Sequence, residues 1–223
     1  MGNMGKYAGK FANQSAIMSE GTIITLFVAT GLLIGWFMHG RSSRTLTSIM
    51  GRLAAEKNGV LESGTFLRSP KLLLSHNGKE MEISAASTGG EGSSPYTYVM
   101  FQDVESAGFE FRILPKSAQT AIDSALGLKK AALTGHPPFD KFLVIYTNDE
   151  DALSALLSER VQQAILGWVT KNRNRVQDIR NHDHKLIFCV DGILSDTADL
   201  RQLIDGACLV YDALAESTSP DES

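Results

Sequence analysis

Hydrophobic residues recur along this chain in three rhythms, and each predicts a different element. The first is an unbroken run: Gly21–Met38, GTIITLFVATGLLIGWFM, holds eighteen consecutive residues without a charge. At ~1.5 Å of rise per residue, such a run makes a helix of roughly 27 Å, enough to cross the hydrocarbon core of a bilayer once. The second rhythm is helical. Leu46, Ile49, Met50, Leu53 and Ala54 fall on one face, Arg44, Arg52, Glu56 and Lys57 on the other, and Asn58-Gly59 supplies a left-handed stop. The same spacing predicts a short helix through Ala118, Ala121, Ile122, Ala125 and Leu126. It predicts a longer one through Leu153, Leu156, Leu157, Val161, Ala164, Ile165 and Trp168, and a closing helix from Leu200 to Leu214. Asn148 is the expected N-cap of the longer helix, with Asp149, Glu150 and Asp151 complementing the dipole in its first turn.

The third rhythm has period two. Lys71–Ser75 and Lys79–Ala85 flank His76-Asn77-Gly78, and Asn-Gly between apolar runs signals a hairpin, because a type I′ turn needs positive φ at both central residues. In the second of these strands Met81, Ile83 and Ala85 alternate with Glu80, Glu82 and Ser84, which predicts one buried face and one wet face. After a Gly/Ser-rich loop over Ser87–Pro95, Tyr96–Asp103 and Phe109–Leu114 read as another antiparallel pair. Gly135-His136-Pro137-Pro138 breaks the chain before Phe142–Tyr146, a continuous apolar run suited to a central strand buried on both faces. Val176–Arg180 and Lys185–Val190 form a last hairpin across Asn181–His184.

Strand hairpins followed by helices, without regular β-α-β alternation, predict an α+β fold. The expected organisation is an N-terminal flank (1–20), a transmembrane helix (21–39), a juxtamembrane helical stem (40–58), one α+β domain with antiparallel hairpins and packed helices (59–215), and a disordered acidic tail (216–223).

Charge sharpens this division. Residues 1–58 hold six Lys/Arg and two Asp/Glu, a net of +4, and residues 59–223 hold fifteen and twenty-three, a net of −8. A basic stem suits an anionic lipid surface, while an acidic domain without a clustered basic face lacks the electrostatic footprint of a nucleic-acid binder. Arg41, Arg44, Arg52 and Lys57 follow the run, against Lys6 and Lys10 before it, and this bias places the large domain in the cytoplasm. A cleaved signal peptide is disfavoured by the polar lead of about twenty residues and by the bulky exit Trp36-Phe37-Met38. Cys189 and Cys208, the only two cysteines, read as small buried hydrophobes.

Candidate chemistry is sparse. Gly31 and Gly35, four apart in the run, offer a face on which two helix backbones approach closely, so they are the candidate contact with a membrane partner or a second copy of the chain. His182, Asp183 and His184 lack a further ligand and read as a solvated turn. Asp149, Glu150 and Asp151 lack the glycine and terminal glutamate of a calcium loop. Gly89, Gly90 and Gly92 are followed by no Lys-Ser/Thr and no helix start, so they are not a phosphate cradle, and His136 beside two prolines reads as part of a loop. No serine lies in G-x-S-x-G. No catalytic, cofactor-binding or metal-ligating residue is nominated.

One N-terminal span, Asn58-Gly59, the hairpin around Asn77-Gly78, the aromatic strand PYTYVMF, and HPPFDKFLV leading into a leucine-rich helix together resemble bacterial single-span membrane proteins that carry an uncharacterised α+β domain. The resemblance implies a fold and a location and carries over no site residue. The expected function is that of a membrane-anchored, non-enzymatic interaction or accessory protein whose partners are the bilayer and another membrane protein or a second copy. The alternative is a membrane-bound enzyme or small-molecule sensor with a scattered site.

Overall fold

A computed structural model describes residues 44–65, 68–87, 94–104, 109–116, 129–130, 134–172 and 175–218. The Gly21–Met38 run, Gly31 and Gly35, the glycines at 89, 90 and 92, and the helix expected over Ala118–Leu126 lie outside the described residues.

Helix α1 is described over residues 44–57 and stops where the sequence predicts. Asn58 turns left-handed at φ 53°, and the Gly59 amide donates to the Ala54 carbonyl at 2.8 Å. The apolar stripe Leu46, Ile49, Met50, Leu53 and Ala54 is buried in the core that also holds the sheet. From residue 44 onward, the expected stem is therefore part of the folded unit.

The hairpin around Asn77-Gly78 forms as expected. Strand β2 (Lys71–His76) pairs antiparallel with β3 (Lys79–Ser87), and both turn residues have positive φ, 50° and 78°. A short edge strand, β1 (Val60–Glu62), joins β2. On the other side of β3 lies β4 (Pro95–Phe101). The expected pairing of this strand with Phe109–Leu114 is not observed. The last hairpin, β8 (Val176–His182) and β9 (Lys185–Asp191), inserts between them. Consequently β9 pairs with β4, and β8 pairs with β5 (Phe111–Pro115). Beyond β5 come β7 (Leu143–Thr147) and the two-residue β6 (Lys129–Lys130). The result is a nine-stranded sheet of order β1-β2-β3-β4-β9-β8-β5-β7-β6 in which every pairing is antiparallel. All five residues of β7 are buried, as its apolar run predicts, but β7 is second from the edge rather than central.

The 181–184 turn is tighter than expected: β8 continues through His182, and only Asp183 and His184, both at positive φ, cross to β9. A register shift between Val176 and Asp178 leaves Gln177 as an extra residue, so that Val176 and not Gln177 pairs with Val190 and packs against the core.

Helices supply the second layer. His136 and the two prolines do more than break the chain: Pro137–Phe142 is a helix, α2, capped by His136 Nδ1, which accepts from the Phe139 amide. Phe142 ends this helix, half exposed, and does not begin the strand. The single long helix expected next is two, α3 (Glu150–Leu156) and α4 (Glu159–Lys171). Ser158 ends the first arrangement by capping the second, its hydroxyl accepting from the Val161 amide. The N-cap of α3 is Asp149 rather than Asn148; Asp149 Oδ1 takes the amides of Asp151 and Ala152, both at 3.0 Å, while Asn148 Oδ1 takes the Glu110 amide at 2.9 Å. Helix α5 (Thr197–Thr218) closes the fold, capped by Asp196, and includes three residues of the expected tail. Helices α4 and α5 touch where Gly206 meets Trp168; a Cβ at Gly206 would lie 2.7 Å from the indole Cδ1, so this crossing requires glycine. An α+β domain with an antiparallel sheet and packed helices is thus what the chain forms, as its patterning predicts.

Candidate functional site

Alternation along the strands sorts the sheet into two faces. Leu72, Leu74, Met81, Ile83, Val99, Phe101, Phe188, Ile179, Phe111, Ile113 and Ile145 share one apolar core with α1, α3, α4 and α5. Aromatic contacts tie it together: Phe101 stacks on Tyr211 at 4.4 Å, and Trp168 meets Phe188 edge-on at 5.4 Å.

The opposite face is the candidate site. The registers Lys71↔Ser84, Ser84↔Tyr98, Tyr98↔Cys189 and Cys189↔Asp178 run one row of side chains across five strands. The adjacent row holds Glu82, Arg180, Arg112 and Tyr146, with Arg112 opposite both Arg180 and Tyr146. The expectation that this face of β3 is wet fails at its centre. Glu82 is 5% exposed and Ser84 2%. A carboxylate taken out of water needs partners, and Glu82 has them: Tyr98 Oη donates to Oε1 at 2.6 Å and Lys71 Nζ to Oε2 at 2.9 Å. Ser84 donates to the Pro70 carbonyl.

The second buried carboxylate is Asp178, 2% exposed. Arg112 grips one of its oxygens, Oδ2, through Nε at 2.6 Å and a terminal nitrogen at 2.5 Å. Arg180 stands off the same oxygen at 3.8 Å and reaches the Cys189 sulfur, also at 3.8 Å. Asp178 Oδ1 is buried without a hydrogen-bond partner. The surroundings hold their neighbours neutral. Burial, reinforced by the Asp178 charge, pushes the Cys189 thiol up, and burial with the Glu82 hydrogen bond does the same to the Tyr98 phenol. For Arg180, burial opposes the charge, but the Asp178 carboxylate together with Cys189 and a hydrogen bond to Tyr96 outweighs it, so its pKa is raised.

The residues singled out from sequence are not gathered here. His182 sits at the rim of this face, its Nδ1 2.7 Å from Glu110 Oε1, and Asp183 and His184 form the exposed turn beyond it. Asp149–Asp151 start α3, and His136 caps α2. Cys189 is buried in its strand as expected; Cys208 is half-buried on α5, and both are free thiols. Among the described residues no group of His, Cys, Asp and Glu is placed to hold a metal ion, and no helix is long and apolar enough to cross a membrane. Sequence reasoning missed Glu82, Asp178, Arg112 and Arg180. The available signal was acidic and basic residues at positions of three strands that alternate with the apolar ones, which become a cluster only once the strand order is known.

No family model and no curated protein matches the chain. Among solved structures, the mycobacterial trehalose monomycolate transport factor A, TtfA, shares the fold. It aligns with a TM-score of 0.55 and 11% identity over 82% of this chain and 98% of that one. At that identity the likeness is one of fold alone.

Proposed function

We propose that this protein is a membrane-anchored, non-enzymatic accessory factor of a bacterial transport assembly, with its α+β domain facing the cytoplasm. The observation that carries the reading is the uncharged run Gly21–Met38, which five residues separate from the described start of α1 at Arg44. The arginines that follow the run support the orientation. The transport context is suggested by the fold likeness to TtfA, a protein named for its part in trehalose monomycolate transport. In this reading Gly31 and Gly35 pack against a helix of the assembly or of a second copy.

The test is purification of the full-length protein in a mild detergent with identification of what accompanies it. A membrane transport protein should co-purify, and Gly35→Ile should weaken that association while Leu33→Ile, on a different face, leaves it intact. Equal recovery with both variants would remove the glycines from the account. Release of the parent protein from membranes by an alkaline carbonate wash would remove the anchor itself.

A further inference from the structure

We propose that Asn77 is a self-modifying site: at the tip of the β2–β3 hairpin its side-chain amide is lost to attack by the following backbone nitrogen, and the carboxylate left behind is set against Asp212 of α5. Asparagine followed by glycine meets the least steric hindrance to this reaction, because Gly78 has no Cβ beside the attacking nitrogen. The Gly78 nitrogen bonds to Asn77 Cγ and the Cγ–Nδ2 bond breaks. Nitrogen departs as ammonia, carrying, by way of solvent, the proton that Gly78 gave up. Water then opens the cyclic imide on either side of its nitrogen and leaves aspartate or isoaspartate. Water is the only co-reactant, and nothing is oxidised or reduced.

The pair occurs at Asn58-Gly59 and at Asn77-Gly78, in both with the asparagine exposed and left-handed, and their surroundings separate them. The Gly59 amide donates to the Ala54 carbonyl at 2.8 Å, and Gly59 lies so close to β2 that a Cβ there would stand 2.7 Å from the Leu73 carbonyl oxygen. That nitrogen can attack only after the end of α1 opens. Gly78 is instead exposed, outside the closing pair His76↔Lys79, and a Cβ there would meet nothing within 4 Å. The tip can therefore turn toward the reactive geometry without displacing a neighbour. Asn77 itself is held only by solvent-exposed contacts of Nδ2, with Asp212 Oδ1 at 2.8 Å and His76 Nε2 at 3.4 Å.

The same contacts give the reaction its consequence. Asp212 Oδ1 meets both Asn77 Nδ2 and His76 Nε2 at 2.8 Å, which ties the hairpin to α5 beside the stack of Phe101 on Tyr211. A carboxylate at position 77 has no hydrogen to give and adds a second negative charge, while Nε2 of His76 has one N–H at most to share between the two. The tie becomes a repulsion.

The experiment is ageing of the folded, full-length protein in lipid nanodiscs at mildly alkaline pH in heavy-oxygen water, followed by peptide mass spectrometry. Asn77 should turn to the acid with incorporation of the label, faster than Asn58 by about tenfold or more. Asn77→Asp, which installs the product, should lower the melting temperature by about 2–4 °C, the shift that loss of one such contact gives in a chain of this size. In an Asp212→Asn background, where the neighbour can donate, the same change should cost much less. The proposal is overturned if Asn77 keeps its amide, or if Asn58 converts as fast. It is equally overturned if Asn77→Asp melts like the parent, or loses as much with Asp212→Asn as without it.

Discussion

The two faces of the sheet are built from the same strands by opposite chemistry. Along β9, Leu186, Phe188 and Val190 enter the helix-covered core, while Ile187 and Cys189 turn to the other side, where Asp178, Arg112, Arg180, Glu82, Lys71 and Tyr98 lie. The first face needs only apolar bulk and shape, so its stability follows from buried area and packing. The second holds two carboxylates away from water and is stable only because each has a close donor. A buried charge pair is weak support for stability, because desolvation offsets much of its attraction. The comparison teaches that the helix-covered face accounts for why the chain folds, while the opposite face buries charges that packing alone does not require.

The largest expected effect is on the apolar face. Phe188 is fully buried against Phe101 and Trp168, so Phe188→Ala should destabilise the domain by about 3–5 kcal/mol. Ile187→Ala, one residue along and partly exposed on the other face, should have a much smaller effect. Chemical denaturation of the pair measures the asymmetry, and equal losses would mean that the two faces are not distinct in packing.

A smaller effect appears with alkali. Burial, with the Asp212 charge, pushes the half-buried Cys208 thiol up to about 12, against about 8.5 for a free thiol. An acid whose folded pKa is raised keeps its proton in the native state after the unfolded chain has lost it. Its stabilising contribution is therefore complete below about pH 8.5 and declines as pH rises toward 12. Cys189 acts in the same direction. Melting temperature should fall through this window, and a Cys189→Ala, Cys208→Ala double variant should show a shallower decline. An unchanged slope would show that the thiols titrate alike in both states.

Much of this was legible in one sequence. The Asn77-Gly78 hairpin, α1 with its Asn58 stop, the last hairpin and α5 rest on local signals, each contained within a few neighbouring residues. The order of strands is not local. Nothing in Phe109–Leu114 says that its neighbours are β7 and β8 rather than β4, because pairing is chosen by the whole sheet. Caps show the same limit on a smaller scale. Asn148 and Asp149 are both competent to cap α3, and the choice falls to Asp149 because the Glu110 amide occupies Asn148. The charged site was hidden for the same reason, since its residues are scattered from Lys71 to Cys189 and meet only through register. The uncharged run Gly21–Met38 is the converse case: it is legible from composition alone and lies outside the described residues.

The measurement that most directly tests the distinction between the faces is a double-mutant cycle on Arg112 and Asp178. Removing one partner leaves a buried charge without its counter-ion, so Arg112→Met and Asp178→Leu should each destabilise by about 3–5 kcal/mol, and the double variant should recover most of the loss. Single variants that each change stability by less than about 0.5 kcal/mol, as ordinary surface substitutions do, would contradict a desolvated charge cluster on the face opposite the helices.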